Sequence, residues 1–264
     1  MKDLHVGYYA HHGSNEHLHR AQALLRSWSC RATLLSAQPY SGNKSEPYRF
    51  MPLPAKNRQY DGSGLARSRM HLISEYFRNH RPDIFITDVS ADLTHYAREL
   101  KVPTVMVRPG SPTHNFAQVQ AYRNCKAMLF PLPSVFEKPD TPGWVREKTF
   151  YATGICSHSG KYLSVNAARR LLHLPLHEQI VLVSPDVYSG PNGERTLLNV
   201  VRHQPRKYFV KLGAIQVPPE QLPANLRLIT DYHSNYPWIR AADMVVINND
   251  AQWLTDVALA QKPI

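Results

Sequence analysis

Apolar and polar positions along this chain switch between two periods, and each switch marks the edge of an element. Short apolar runs predict buried strands at Leu4–Ala10, Ala32–Ala37, Asp83–Asp88, Pro103–Val107 and Ala127–Phe130. Between them the spacing turns helical. Leu18, Ala21, Leu25 and Trp28 fall on one face of a helix Glu16–Ser29, and Leu72, Ile73, Tyr76 and Phe77 on one face of a helix from about Leu65 to Asn79. Two further helices are expected at Asp92–Leu100 and Asn115–Asn124. The stretch Gln38–Gly64, rich in Pro, Ser, Gly and Asn, reads as a long surface loop.

The proline-rich segment Pro131–Trp144 carries no periodicity and reads as a linker. Alternation then restarts, with strands at Gln179–Ser184, Lys207–Leu212, Leu226–Thr230 and Met244–Ile247, and helices at Ser164–His173, Glu194–Arg202, Tyr236–Ala241 and Gln252–Ala260. Pro263-Ile264 has the pattern of the first step of another strand. Strands that are apolar throughout and alternate with helices require a mostly parallel sheet covered on both faces. The expected architecture is therefore α/β, with two Rossmann-like domains at 1–150 and 151–264, the second incomplete at its C-terminus.

The 264 residues suffice for a proper core in each half. Hydrophobic residues make up 43%, yet no window approaches the unbroken apolar run of a membrane span. The opening Met1-Lys-Asp-Leu-His-Val enters a strand pattern directly and has no signal-peptide apolar region. Cys30, Cys125 and Cys156 lack metal-ligand spacing and read as reduced thiols of a cytoplasmic protein. The net charge of +11 is spread along the chain, and its densest cluster, Arg67-Ser-Arg69, is short. That distribution argues against a nucleic-acid stripe. A phosphorylated ligand or peripheral contact with an inner membrane surface accounts for it better.

Candidate chemistry gathers at the carboxyl ends of the strands, where open α/β sheets bind ligands. His17 opens the first helix and has the near-neutral imidazole a general base needs. A solvated helix-start histidine is the plain alternative. A metal cluster with His11, His12 and His19 is a third, without supporting carboxylate or cysteine spacing. Asp88, ending a strand, is expected to orient His17 or bind an acceptor hydroxyl, and Asp92 to N-cap the following helix. Arg108, Gly110 and His114 lie on the loop after a strand, where Arg108 is a candidate partner for an anionic group, with a plain surface loop the alternative. Ser184, Gly190 and Gly193 follow a strand and are candidates for a phosphate-facing loop. Gln252, Thr255 and Asp256 occupy the first turns of the last helix, whose free N–H groups favour phosphate. Trp253 and Leu254 read as core, Lys211 and Arg227 as solvated. The sequence contains no Asp-x-Asp pair of the kind that holds a diphosphate through a divalent metal.

Four segments together carry a family resemblance. They are His11-His-Gly-Ser-Asn-Glu-His17-Leu-His-Arg20-Ala; Pro82-Asp-Ile-Phe-Ile-Thr-Asp88 followed by Lys101-Val-Pro-Thr-Val; Arg108-Pro-Gly110 through Phe130-Pro-Leu-Pro133; and Ala241-Ala-Asp243 through Lys262-Pro263. In order and spacing they resemble the GT-B glycosyltransferases, especially the MurG-like group of the UDP-glycosyltransferases. The resemblance implies an inverting, metal-independent transfer of a hexose or N-acetylhexosamine from a nucleotide-diphosphate sugar of UDP type to a hydroxyl acceptor, anionic or lipid-linked, with no further cofactor. It implies His17 as base with Asp88 its partner. His12, Arg20, Arg108, Gly110 and His114 would then line the acceptor side, and Ser184, Gly190, Asn249, Asp250, Gln252, Thr255 and Asp256 the donor side. The chain departs from the pattern where Asn248-Asn-Asp250 replaces a Gly-rich turn, where Asp256 replaces a Glu, and where it stops soon after Lys262-Pro263. Two other readings stay open: a sugar-nucleotide 2-epimerase, and a non-catalytic remnant that binds a nucleotide or a partner protein.

Overall fold

The computed structural model describes residues 4–12, 15–38, 46–54, 62–108, 115–152, 154–155, 163–232, 234–248 and 251–264. The chain divides into two compact units, 1–157 and 158–264. In the first, β1 (His5–Ala10), β2 (Arg31–Ser36), β3 (Arg49–Pro52), β4 (Ile84–Asp88), β5 (Thr104–Val107), β6 (Ala127–Phe130) and β7 (Thr149–Tyr151) form one sheet in the order β3-β2-β1-β4-β5-β6-β7. Every pairing in it is parallel. The helices α1 (Asn15–Ser27), α2 (Gly62–His80), α3 (Ala91–Glu99) and α4 (Phe116–Asn124) make the crossovers, and a short α5 (Gly143–Glu147) precedes β7.

Alternation along β1 explains the two cores. Val6 and Tyr8 pack with Leu18, Ala21 and Leu25 of α1. Tyr9 packs on the other face with Ile73, Tyr76 and Phe77 of α2 and Leu93 of α3. Side chains of successive strand residues point to opposite faces, so a strand between two helical layers must be apolar at every position.

Two strands were not expected. β3 lies within the segment read as a loop, and β7 follows the segment read as a linker; both flank the sheet, where half the surface is open and the apolar signal weakens. The linker expectation for Pro131–Trp144 is corrected. This segment contains a 3-10 turn, Ser134–Phe136, and part of α5, and it is tied into the first unit. There Glu137 pairs with Arg108 and accepts a hydrogen bond from the Tyr151 hydroxyl (2.9 Å). Because β7 pairs with β6, residues on both sides of position 150 belong to the first sheet.

The second unit repeats the winding. After α6 (Val165–Leu171) come β8 (Gln179–Val183), α7 (Gly190–Arg202), β9 (Lys207–Leu212), β10 (Leu226–Ile229), α8 (Tyr236–Ala241), β11 (Met244–Val246) and α9 (Ala251–Leu259). The parallel order is β10-β9-β8-β11. Leu182, Val210, Trp238, Ile239 and Trp253 fill one face and Val181, Leu197, Val201 and Phe209 the other. Trp253 is thus core, as its apolar neighbours suggested. Beside β11, the Val245 N–H donates to the Pro263 carbonyl (2.9 Å), but residues 262–264 form no strand. α7 starts at Gly190, four residues before the expected Glu194, because Pro191 occupies its first turn, where its missing N–H costs nothing.

Gly193 sits under the turn that leads into α7. A Cβ there would lie 2.6 Å from the Tyr188 carbonyl carbon, a backbone atom that cannot swing aside. Gly193→Ala is therefore expected to cost about 1–3 kcal/mol, read as a lower urea midpoint with an unchanged slope.

Candidate functional site

In both units the strand order reverses beside the first strand, and loops leaving the carboxyl ends there diverge to open a crevice. In the first unit that point lies between β1 and β4. Their parallel register sets Tyr9 opposite Thr87, so both strands end side by side. The chain leaving β1 enters α1 with His17 in its opening turns, while β4 ends on Asp88. Asp88 is fully buried. The His17 Nδ1–H donates to its Oδ1 (3.0 Å), Arg20 Nη1 donates to both oxygens (2.9 Å each), and the Tyr8 hydroxyl donates to Oδ2 (3.2 Å). His17 and Arg20 are three residues apart on α1, a spacing that puts both on one helical face. Arg20 also pairs with Glu16 one turn earlier.

This geometry fixes the chemistry of the imidazole. An ionised carboxylate only accepts hydrogen bonds, so the proton bonded to Asp88 sits on Nδ1, and Nε2 of the neutral ring carries the lone pair. Burial pushes the Asp88 carboxyl upward, but the Arg20 guanidinium, His17 and Tyr8 outweigh it and hold the carboxyl below its ordinary value. The Tyr8 phenol goes well above its own ordinary value through burial and the Asp88 charge. His11 stands edge-on to His17, ring centroids 5.4 Å apart, with His12 4.5 Å from it on another side. Burial, helped by the neighbouring His12 and His17, lowers His11 to about 4. A neutral ring therefore faces His17 near pH 7. His12 itself is exposed. Among the described residues no three His, Cys, Asp or Glu side chains are placed to hold a metal ion.

The turn after Asp88 is held in an unusual conformation. Val89, a β-branched residue, has φ 52° and donates its N–H to the Val107 carbonyl (3.0 Å). Such a residue in the left-handed region is strained, by about 1–3 kcal/mol. It redirects the chain so that Ser90 caps α3 by accepting from the Leu93 N–H (3.4 Å). The expectation that Asp92 is the cap is corrected: Asp92 lies exposed in the first turn, where its charge favours the helix dipole.

Two acceptor-side expectations change. Arg20 is buried, with its guanidinium engaged by Asp88 and Glu16, so it supports the dyad from within. Arg108 is also fully buried. It pairs with Glu137, donates through Nε to Thr149 Oγ1 (3.4 Å) and lies 4.5 Å over the Phe130 ring. An arginine so enclosed closes the sheet edge and offers nothing to an anionic acceptor. Gly110 and His114 lie outside the described residues.

In the second unit, Ser184 follows β8 and is buried, and Gly190 (φ 77°) opens α7. Thr255 and Asp256 are both buried on α9. Asn249 and Asp250 lie outside the described residues, as does the side chain of Gln252. Lys211 is not solvated as expected: it is buried, and its ammonium donates to three backbone carbonyls. Arg227, also expected to be solvated, donates to the carbonyls of Leu172 and His173 at the end of α6 (2.9 and 3.0 Å). Tyr8 and Glu16 were not singled out in the sequence, and His11 was considered there only as a metal ligand. For Glu16 the one local signal was its spacing of one helical turn from Arg20.

The fold is that of GT-B glycosyltransferases. The glycosyltransferase of kitacinnamycin matches with TM-score 0.67 and 15% identity, over 100% of this chain and 80% of its own. Arabidopsis thaliana UGT89C1, solved with quercetin, matches with TM-score 0.64 and 11% identity, over 99% and 78%. The UDP-GlcNAc 2-epimerase from Neisseria meningitidis, bound to UDP-GlcNAc, matches with TM-score 0.53 and 10% identity, over 91% and 76%. No protein-family model and no curated protein matches the chain. Among the described residues no helix is long and apolar enough to cross a membrane.

The Asp88 network sets an acid-stability prediction. A carboxyl held lower in the folded state contributes stability that is present above its unfolded value and lost as pH falls through the folded one. Asp88→Asn should lose about 3–5 kcal/mol at pH 7, because it leaves Arg20 buried without its full counter-charge. The deficit should shrink as pH falls, when urea unfolding is followed from pH 7 to pH 3.

Proposed function

We propose that this protein is an inverting glycosyltransferase that moves a hexose or N-acetylhexosamine from a UDP-type sugar to a hydroxyl acceptor without a metal ion. The observation that carries the reading is the hydrogen bond from His17 Nδ1 to buried Asp88, which leaves Nε2 basic on a partly exposed side chain. The acceptor hydroxyl gives its proton to His17 Nε2 as its oxygen bonds to the anomeric carbon. The bond from that carbon to the diphosphate oxygen breaks, and the nucleotide diphosphate leaves with the electron pair. One displacement inverts the anomeric centre. Asp88 stabilises the imidazolium that forms, and Arg20 with Tyr8 keeps Asp88 ionised and aligned.

Amide dipoles at the starts of α7 and α9 suit the leaving diphosphate. Together with the absence of an Asp-x-Asp pair from the sequence, they favour the metal-independent mode. The neighbours solved with quercetin and with UDP-GlcNAc are consistent with a hydroxylated acceptor and a UDP-sugar donor. The epimerase reading is less well supported, because Asp88 is enclosed and engaged on both oxygens and the neighbouring Glu16 is paired with Arg20.

The test is UDP release from UDP-glucose or UDP-GlcNAc with and without a flavonol acceptor, with product configuration read by NMR. Release should depend on acceptor, survive EDTA and give the inverted anomer. His17→Ala should slow transfer by about 10²–10⁴-fold while UDP binding holds. Full activity in that variant would remove His17 as base, and sugar conversion with donor alone would favour the epimerase.

A further inference from the structure

Lys211 lies on β9 in the interior of the second unit, 1% exposed, an uncommon place for an ammonium group. Its Nζ donates to the carbonyls of Ser184 (2.8 Å), Pro185 (2.5 Å) and Leu212 (2.9 Å). Three donors meet three acceptors, and two of those acceptors begin the turn between β8 and α7. The same turn is fixed at two other points. Pro185 packs on Gly213, whose φ is 91° and where a Cβ would stand 3.6 Å from the Pro185 Cα; Tyr188, at φ 57°, rests on Gly193. The order β10-β9-β8-β11 puts this turn beside the point where the sheet reverses, which is where a ligand is received.

Strand carbonyls at that edge would by themselves present negative potential to an anionic ligand. We propose that Lys211 is a positioning residue for the nucleotide diphosphate: its ammonium, from inside the sheet, gathers the three carbonyls, one of which also accepts from the Val187 N–H (3.3 Å), and so fixes the turn that presents the first N–H groups of α7 to the phosphates. The proposal rests on the donor assignment made above. The charged groups facing Lys211 are Asp186 on the turn and Glu194 on α7, and Tyr232 stands near Asp186. Burial lowers Lys211 to about 8 against those two carboxylates. At neutral pH the ammonium is therefore mostly intact, and it loses its proton within the range an assay can reach. A neutral amine has one proton fewer and no charge, so at least one buried carbonyl loses its partner.

The experiment is calorimetry of UDP binding to the full chain at pH 7, 8 and 9, with Lys211→Arg and Lys211→Met alongside. The phosphates of UDP are already ionised across this range. Wild-type affinity should fall by about tenfold from pH 7 to pH 9, in step with the fraction of intact ammonium. Lys211→Arg, charged throughout, should hold its pH 7 affinity to pH 9, and Lys211→Met should bind at pH 7 as weakly as wild type at pH 9. Should the Met variant fail to fold, wild type and the Arg variant decide between themselves. Equal wild-type affinity at both ends, or the same decline in the Arg variant, overturns the proposal. If wild type binds no UDP at any pH, the donor assignment fails, and amide exchange of residues 186–189 tests the strut separately. Protection that drops from pH 7 to pH 9 in wild type but not in Lys211→Arg supports it; identical profiles reject it.

Discussion

A carboxylate removed from water must be compensated several times over, and the first unit is arranged around that requirement. Asp88 sits at the end of a central strand, where the desolvation of its charge would otherwise drive it to the neutral acid. Arg20 supplies the opposing charge, and Tyr8 and His17 supply further hydrogen-bond donors. Each partner comes from β1 or α1, so the first β-α step of the chain and the end of β4 are coupled through one side chain. The dyad is an outcome of that compensation: the imidazole is oriented because the carboxylate needs it.

The two units use the same winding for different physical ends. In the first, side chains converge at the reversal of strand order: an imidazole, a carboxylate and a guanidinium. In the second, the backbone dominates, with a turn shaped by Gly193 and Gly213 and braced from below by a buried ammonium. Under the proposed function, proton transfer calls for the titratable groups of the first unit, and phosphate binding for the fixed dipoles of the second.

What the sequence revealed follows from how local each signal is. The central strands β1, β4, β8 and β9 were legible because burial on both faces demands an unbroken apolar run. β3 and β7 were not, since Arg49 and Phe150 are exposed at the sheet edges and each strand is only a few residues long. The prolines of 131–144 suggested a linker because the partner that ties it down, Arg108, is far away in sequence. His17 and Asp88 stood out by their positions at strand and helix ends and by the family resemblance. The enclosure of Arg20, Arg108 and Lys211 was hidden, since a basic residue in a sequence looks the same whether its charge is solvated or capped by oxygens.

Val89 gives the dyad a further property. A β-branched residue forced into left-handed geometry stores conformational energy one peptide bond from the carboxylate, and only the surrounding contacts keep it there. A glycine at this corner would relax it, yet would also widen the arc through which the carboxylate can wander. Here rigidity next to the His17–Asp88 pair has been favoured over local comfort. A natural or engineered drift toward a softer corner would give up the fixed aim of the carboxylate for local relaxation.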